Sequence, residues 1–156
     1  MSQKRDTDYL AVSTRIHAME NRMLTRERME RMIDAKDSGE AAKVLSECGY
    51  GELTQLTSAA LEELLADARR NTFRDMTDSV PDRRLVEVFQ LKYDYHNAKV
   101  LIKAQAMGLD EARLLSQGGR YDPQRLREDF LRDDLRDWGE VFRQAVLRAR
   151  EVLAAT

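Results

Sequence analysis

The chain has 156 residues, of which 42% are apolar and 35% are charged, so it can bury a hydrophobic core of ordinary size. Its 26 basic and 28 acidic side chains give a net charge of −2, which offers no broad positive field for a nucleic-acid backbone. The single cysteine, Cys48, excludes an internal disulfide, and no apolar run reaches the roughly 18 residues of a membrane span. We therefore expect a protein of the reducing cytoplasm, or one at the cytosolic face of a membrane.

The composition favours an all-α fold. Leucine, alanine, arginine, glutamate and methionine dominate, and only 2 prolines and 7 glycines interrupt them. No segment alternates apolar and polar residues long enough to predict a strand. We expect a bundle of about seven helices, each marked by apolar side chains at helical spacing.

The first third of the chain is predicted to form three helices. The first covers residues 6–24, because apolar side chains recur along one narrow face: Tyr9, Val12, Ile16, Met19 and Met23. Thr25 is placed to cap a second helix over residues 26–35, and Asp37 begins a capping-box pattern that starts a third helix, ended by Gly49. The narrow face of the first helix could pair with another chain, but we favour packing within the same domain.

Four further helices are expected over residues 58–78, 82–107, 124–131 and 135–153. Pro81 suits the first turn of the long helix that follows it, and Gly108 suits its end. Asp122 followed by proline is a helix-start pair. The Gly118–Gly119 pair is interpreted as a turn, since neither a preceding strand nor a following Gly-Lys-Ser/Thr supports a phosphate loop.

The long helix over residues 82–107 has an unusual distribution of side chains around its axis. A narrow basic wedge contains Lys92, His96, Lys99 and Lys103. One apolar stripe beside it contains Phe89, Tyr93, Val100, Ala104 and Met107, and the stripe on the other side contains Val88, Leu91, Tyr95, Ala98 and Ile102. Opposite the wedge lie Gln90, Asp94, Asn97, Leu101 and Gln105. Two separate apolar stripes predict a helix packed between neighbours on two sides.

Each face of this helix leads to its own prediction. We interpret the basic wedge mainly as solvated, with the docking of an acidic partner helix as the functional alternative. Tyr93 and Tyr95 fall in different stripes, and each can bury its ring while its hydroxyl reaches a polar partner. Asp94 and Asn97 are expected to cap or bridge a neighbouring element.

No catalytic constellation is apparent in the sequence. Asp94 and His96 are two residues apart on a helix and therefore point in different directions. His17, His96 and Cys48 show no spacing typical of metal ligands, and no Gly-x-Ser-x-Gly pattern is present. Cys48 is expected to be a buried structural thiol. We predict no catalytic, cofactor-binding or metal-binding residues.

The last predicted helix leaves two alternatives open. Asp133, Asp137 and Glu140 share a face and could hold a divalent ion, but interleaved arginines favour ion pairs on the surface. Trp138 and Phe142, four residues apart, form an aromatic pair that belongs either to the core or to an exposed anchor for a partner.

Three stretches together resemble a known family. "KYDYHNAKVLIKA" (residues 92–104), with Tyr93, Asp94, Tyr95 and Asn97, is similar to the signature helix of the rotary V-type/A-type ATPase component named C in prokaryotes and d in eukaryotes. "DYLAVSTRIHAMENRML" and "LTRERMERMIDAKDSGEAAKVLSECGYGE" resemble the opening and the first helical repeat of that family, in the same order.

The resemblance implies a mechanical role. Family members contain three related helical domains arranged as a funnel, so residues 1–108 would be the first domain and residues 109–156 the truncated start of the next. The protein would sit in the rotor without catalytic residues or cofactors. It would couple the central shaft of the ATPase head to the membrane proteolipid ring for proton or sodium transport, peripheral to the cytosolic face. A generic helical adaptor that binds a partner helix is the alternative, and a metal-dependent enzyme is a third hypothesis.

If later domains are missing, the last helix should expose an apolar strip to solvent or to a second copy of the chain. The candidates for this strip are Leu135, Trp138, Phe142 and Val146. Such a strip would also favour non-native self-association.

Overall fold

The computed structural model describes residues 5–53 and 57–154, and every regular element within them is helical. The α-helices are α1 (Leu10–Glu20), α2 (Arg26–Ile33), α3 (Ser38–Glu47), α4 (Ser58–Ser79), α5 (Arg84–Met107), α6 (Pro123–Leu131) and α7 (Glu140–Ala154). Short 3-10 turns cover Asp6–Tyr9, Ala112–Leu114 and Arg136–Trp138. The predicted all-α, multi-helix fold is confirmed.

The chain divides into two compact units, Met1–Arg83 and Arg84–Thr156. This boundary lies before α5, whereas the sequence suggested a division after it, at residue 108. The difference arises because α5 packs on α6 and α7, which places it with the second unit. Residue 108 as the limit of a family domain stays a prediction.

The helix ends of the first unit follow their sequence signals. The Thr25 hydroxyl accepts a hydrogen bond from the amide of Arg28 at 3.3 Å, and the Asp37 carboxylate accepts one from the amide of Glu40 at 2.8 Å. Gly49, with φ +82°, ends α3 and lets the following amide bond back to the carbonyl of Leu45 at 3.2 Å. Cys48 is buried just before this turn, as predicted.

The first helix is shorter than its apolar face suggested. Residues 6–9 form a 3-10 turn, α1 ends at Glu20, and Val12 is the buried side chain of α1. α1 packs on α4, yet Ile16 and Met23 from the same predicted face are exposed. The expectation that the whole face packs within its own domain is therefore wrong for these two side chains.

The second unit is built around one apolar cluster between α5, α6 and α7. Its buried members are Ala98, Leu101, Ile102, Leu126, Phe130, Leu135, Trp138, Phe142 and Val146. Tyr121 packs its ring edge-on against Trp138 at a centroid distance of 4.4 Å. The Trp138 indole N–H donates to the Asp129 carboxylate at 3.2 Å, so this large side chain is buried with its polar atom bonded.

The last predicted helix is interrupted. Gly139 adopts φ +77°, which separates the turn Arg136–Trp138 from α7 and rules out one continuous helix from residue 135. The predicted exposed strip is also wrong: Leu135, Trp138, Phe142 and Val146 are all at most 3% exposed. They face the cluster formed with α5 and α6, so the interpretation of Trp138 and Phe142 as core residues is confirmed.

Pro81 corrects a smaller expectation. It precedes α5 by three residues and does not lie in its first turn. At the next helix start the signal is accurate: the Asp122 carboxylate accepts from the amide of Arg125 at 2.8 Å, and Pro123 opens α6.

Candidate functional site

The buried face of α5 is centred on the residues that lie opposite the basic wedge. Asp94, Asn97 and Leu101 are almost completely buried, and the flanking apolar stripes are buried unevenly. Val88, Phe89 and Met107, at the ends of those stripes, are exposed, while Ala98, Ile102 and Ala104 are buried. Each of the two predicted apolar stripes is therefore packed in its middle and exposed at an end. Within its own unit, α5 presents one broad face to α6, α7 and the loop between α5 and α6.

Asp94 is the most buried charged group of this face, with 0% of its surface exposed. Its carboxylate accepts a hydrogen bond from the guanidinium Nε of Arg120 at 2.6 Å and another from the Arg120 amide at 2.9 Å. The amide of Tyr121 lies 3.4 Å from the same carboxylate. An isolated buried carboxylate would be very costly, and these donors together offset its desolvation.

Asp94 stabilises the positive charge of Arg120. Burial lowers the pKa of Arg120, but the hydrogen bond and the charge of Asp94 outweigh burial and hold that pKa above its ordinary value. Arg120 is therefore a permanent cation beside Asp94. The pair acts as a fixed structural contact between α5 and the loop.

Asn97 makes a second contact with the same loop. Its side-chain amide donates to the Ser116 carbonyl at 2.8 Å, and its oxygen accepts from the Ser116 amide at 2.7 Å. Gln90, one turn before Asp94, donates to the carbonyl of Gly119 at 3.1 Å. The prediction that Asp94 and Asn97 bridge a neighbouring element is confirmed, and that element is the loop of residues 115–121.

The glycines of this loop are required by close approach. A Cβ on Gly119 would collide with the Asp94 carboxylate, and a Cβ on Gly118 would lie 2.9 Å from the ring of Tyr93. The turn predicted for this pair is confirmed. The contact of this turn with α5 was not predicted, although the two glycines and the Tyr93–Asn97 segment are both conspicuous in the sequence. The signal that was missed is that a Gly–Gly pair permits a backbone to lie directly on a helix.

The two tyrosines of the long helix are half-buried. Tyr95 packs against the apolar cluster and meets Phe142 at a centroid distance of 5.2 Å. Tyr93 lies under the glycine turn. Both rings therefore help to hold the second unit together, on either side of Asp94.

The basic wedge of α5 lies on the side of the helix opposite Asp94 and Leu101. Lys92, His96, Lys99 and Lys103 are all exposed. The His96 Nε2 atom lies 3.1 Å from the carbonyl of Leu114, and the Lys92 Nζ lies 4.9 Å from the centroid of the Tyr93 ring. Within residues 5–53 and 57–154, none of the three lysines makes an ion pair. This wedge is therefore the group of predicted partner-facing residues that the structure leaves accessible.

The acidic residues near α7 are engaged with arginines. The Asp133 carboxylate binds Arg150 at 2.5 Å, and Asp137 binds Arg125 at 2.7 Å. Glu140 binds Arg143 at 3.0 Å. In the described part of the chain, no group of three or more histidine, cysteine, aspartate or glutamate side chains could hold a metal ion. The interpretation as surface ion pairs is confirmed.

Two surface depressions occur in the second unit, and neither resembles a reaction pocket. One, of about 470 Å³, is lined by the ion-paired Asp134, Arg136 and Arg143. The other, of about 420 Å³, lies between the C-terminal ends of α5 and α7. Among the helices that the structure describes, none has both the length and the apolar character needed to cross a bilayer.

Comparison with known proteins agrees with the resemblance noted in the sequence. The C component of the V-type sodium ATPase of Enterococcus hirae is 23% identical to this chain over 122 residues, which is 78% of the chain and 37% of that relative. The chain thus spans well under half the length of the relative. No solved structure gives a significant match. A model of the ATP synthase (C/AC39) subunit family matches residues 12–151, so the chain belongs to that family.

Proposed function

We propose that this chain is a non-catalytic part of the central stalk of a V-type/A-type rotary ATPase, coupling the shaft of the ATPase head to the membrane proteolipid ring. The observation that carries the proposal is the family match over residues 12–151. The name of the Enterococcus hirae relative suggests sodium as the transported ion, and protons are the alternative. The site supports a mechanical role because its buried charges bind the protein's own loop.

The contacts of the second unit suit a part that transmits force. A coupling element must deform little under load, and a close-packed interior has low compressibility. Here one aromatic-rich cluster joins three helices, and Asp94 and Asn97 bind the intervening loop to α5 through five hydrogen bonds or close polar contacts. These contacts resist sliding of α5 against the loop.

The proposal places the chain at the periphery of the membrane, between other components of the same machine. It requires contacts with the shaft and the ring, and no insertion into the bilayer. Accessible surfaces exist for such contacts, including the basic wedge of α5 and the exposed Ile16, Met29 and Ile33 in the first unit.

Reconstitution of the ATPase with and without this chain tests the proposal. We expect the complete complex to retain the chain on affinity purification through the shaft or the ring. Without the chain, we expect the head to hydrolyse ATP while ATP-driven ion uptake into vesicles is lost. Uptake that is equal in both preparations would contradict the proposed coupling. Uptake measured in sodium-containing and sodium-free buffers identifies the ion.

A generic helical adaptor is the second candidate, favoured by the apolar side chains exposed on α1 and α2. The same purification discriminates the two functions. An adaptor would bind a partner helix outside the ATPase and would not be retained by the shaft or the ring.

A further inference from the structure

We propose that the outward side of α5 is a docking site for an acidic helix of a partner protein. The residues concerned form a single line along the helix, which we call the outer ridge. The outer ridge consists of Val88, Lys92, His96, Lys99, Lys103 and Met107. It has exposed apolar side chains at its two ends and basic side chains in its middle.

The spacing of the outer ridge matches a helix–helix contact. Successive members are separated by three or four residues, so at about 100° per residue they occupy roughly a quarter of the circumference of the helix. The centre of this arc lies opposite Asp94 and Leu101, which face the protein interior. From Val88 to Met107 the ridge is about 28 Å long at 1.5 Å per residue, which is about five turns of a partner helix.

The two ends of the ridge carry exposed apolar side chains. Val88 is 63% exposed and Met107 is 68% exposed. Leu114 is also exposed and lies beside the middle of the ridge, since its carbonyl contacts His96. Apolar side chains at the two ends of a partner helix would pack on these residues.

The charges in the middle of the ridge are uncompensated. The described residues provide no ion-pair partner for Lys92, Lys99 or Lys103, although arginines elsewhere in both units are paired with carboxylates. Lys99 and Lys103 are four residues apart and repel each other across one helical turn. Carboxylates of a partner placed between them would turn this repulsion into attraction, which gives both specificity and faster association.

Other anionic partners fit the ridge less well. A nucleic acid would neutralise the lysines but leave Val88 and Met107 in water, and the net charge of −2 gives no wider field for its phosphates. A lipid surface favours a helix with a broad apolar side between basic flanks. The outer ridge instead has its apolar residues at its two ends. This arrangement suits a partner helix of the same length with apolar residues at both of its ends.

In the rotary assembly proposed above, the acidic helix would belong to a neighbouring component, and that identification rests on the proposed function. The chemistry of the ridge can be tested separately. The probe is a synthetic helical peptide of about five turns, with leucines at both ends and glutamates three and four residues apart in its middle. A matched peptide carries lysines in place of those glutamates.

Binding of both labelled peptides to the intact chain is measured by fluorescence anisotropy at low and high salt. We expect the acidic peptide to bind at least about tenfold more tightly than the basic one, with an affinity that falls as salt rises. The double substitution Lys99→Glu with Lys103→Glu should reverse this preference. Both side chains are exposed, and glutamate is as good a helix former as lysine, so the fold should be kept.

The control variant carries Lys36→Glu with Lys43→Glu, which changes the net charge equally on exposed lysines of the first unit. It should bind the acidic peptide like the unmodified chain. The proposal is overturned if neither peptide binds, if the control loses as much affinity, or if the ridge variant keeps its preference for the acidic peptide. Binding to phosphatidylglycerol vesicles that depends on the ridge, with no peptide binding, would also overturn it in favour of a lipid surface.

These outcomes separate the two proposals. If the charge reversal changes the peptide preference but the chain does not join the ATPase, the docking site is supported and the rotary function is contradicted. If the chain joins the ATPase but the peptide preference is absent, the ridge falls and the rotary function stands.

Discussion

The two units of the chain differ in the size of the side chains that they bury. In the second unit, Phe130, Trp138 and Phe142 lie in one cluster with six aliphatic side chains. In the described part of the first unit, the buried apolar residues are small or medium-sized: Val12, Ala42, Val44, Leu45 and Cys48. Large aromatic side chains dominate the energetics of cores. The second unit therefore buries the larger apolar side chains.

Two helices of the first unit differ in burial from the helices of the second unit. α2 and α4 have no fully buried side chain, and Ile33, at the end of α2, is 81% exposed. The large apolar residues of α4 are half-buried, whereas Met29 and Ile33 of α2 are exposed. Exposed apolar residues are not confined to this unit, since Val88, Phe89 and Met107 of α5 are exposed as well.

The largest expected effect is the loss of the Trp138 side chain. We expect Trp138→Ala to lower the free energy of unfolding by about 4 kcal/mol, because a fully buried aromatic ring leaves a large cavity. Ile33→Ala in the first unit should change it by less than about 0.5 kcal/mol. Urea unfolding followed by circular dichroism measures both. Equal losses for the two variants would break the comparison between the units.

The next effect separates buried from exposed ion pairs within the second unit. Asp94→Asn should cost about 3 kcal/mol, since the partly buried Arg120 guanidinium would lose its fully buried carboxylate partner. Asp134→Asn removes a pair of similar length with Arg136 that is exposed, and its effect should be small. The same urea titrations test this contrast. A loss for Asp134→Asn that matched the loss for Asp94→Asn would show that burial does not set the cost.

The loop glycines allow a finer comparison. Gly119→Ala should cost about 2 kcal/mol, because the new methyl group collides with the Asp94 carboxylate and displaces the loop. Gly108→Ala should cost only about 1 kcal/mol, since its surroundings are open and the penalty comes from φ +63° alone. Thermal unfolding ranks the two variants. The reverse order would contradict the close contact between the loop and α5.

The smallest effect concerns surface electrostatics, in which the two units should be alike. The hydrogen bond from Arg136 lowers the pKa of Asp134 from 3.8 to about 2, and the hydrogen bond from Arg31 lowers the pKa of Glu47 in the first unit. Both carboxylates therefore stabilise the folded state above their ordinary pKa values, and this contribution is lost as the pH falls through the lowered ones. Carboxyl NMR titration should place the Asp134 midpoint near 2, and Arg136→Gln should raise it towards 3.8. A midpoint already near 3.8 in the unmodified chain would exclude the pair.

Local signals in the sequence predicted most of the helices. Thr25, Asp37, Asp122 and Gly49 act where they were expected, because capping depends on a few adjacent backbone atoms. Gly139 was overlooked, although a glycine directly after tryptophan and before a first-turn glutamate is a legitimate break signal. The error joined a 3-10 turn to α7.

Tertiary choices were harder to predict. The periodicity of α5 located its side chains around the helix, but it assigned the interior to the apolar stripes. The structure also buries Asp94 and Asn97 between those stripes, because the loop supplies donors and acceptors that no pattern within the helix reveals. Likewise, the sequence identified Leu135, Trp138, Phe142 and Val146 as one apolar strip. Its predicted exposure was wrong because α5 and α6 cover it, and their position could not be read from the strip itself.

The bonds between α5 and the loop also have a consequence for orientation. A helix packed only through aliphatic side chains can settle at several angles about its own axis, since such contacts have little directionality. Asp94 accepts hydrogen bonds from Arg120, and Asn97 both donates to and accepts from Ser116. Because hydrogen bonds are directional, these contacts select one angle. The direction in which the lysines on the opposite side of α5 point is thereby fixed by buried polar atoms.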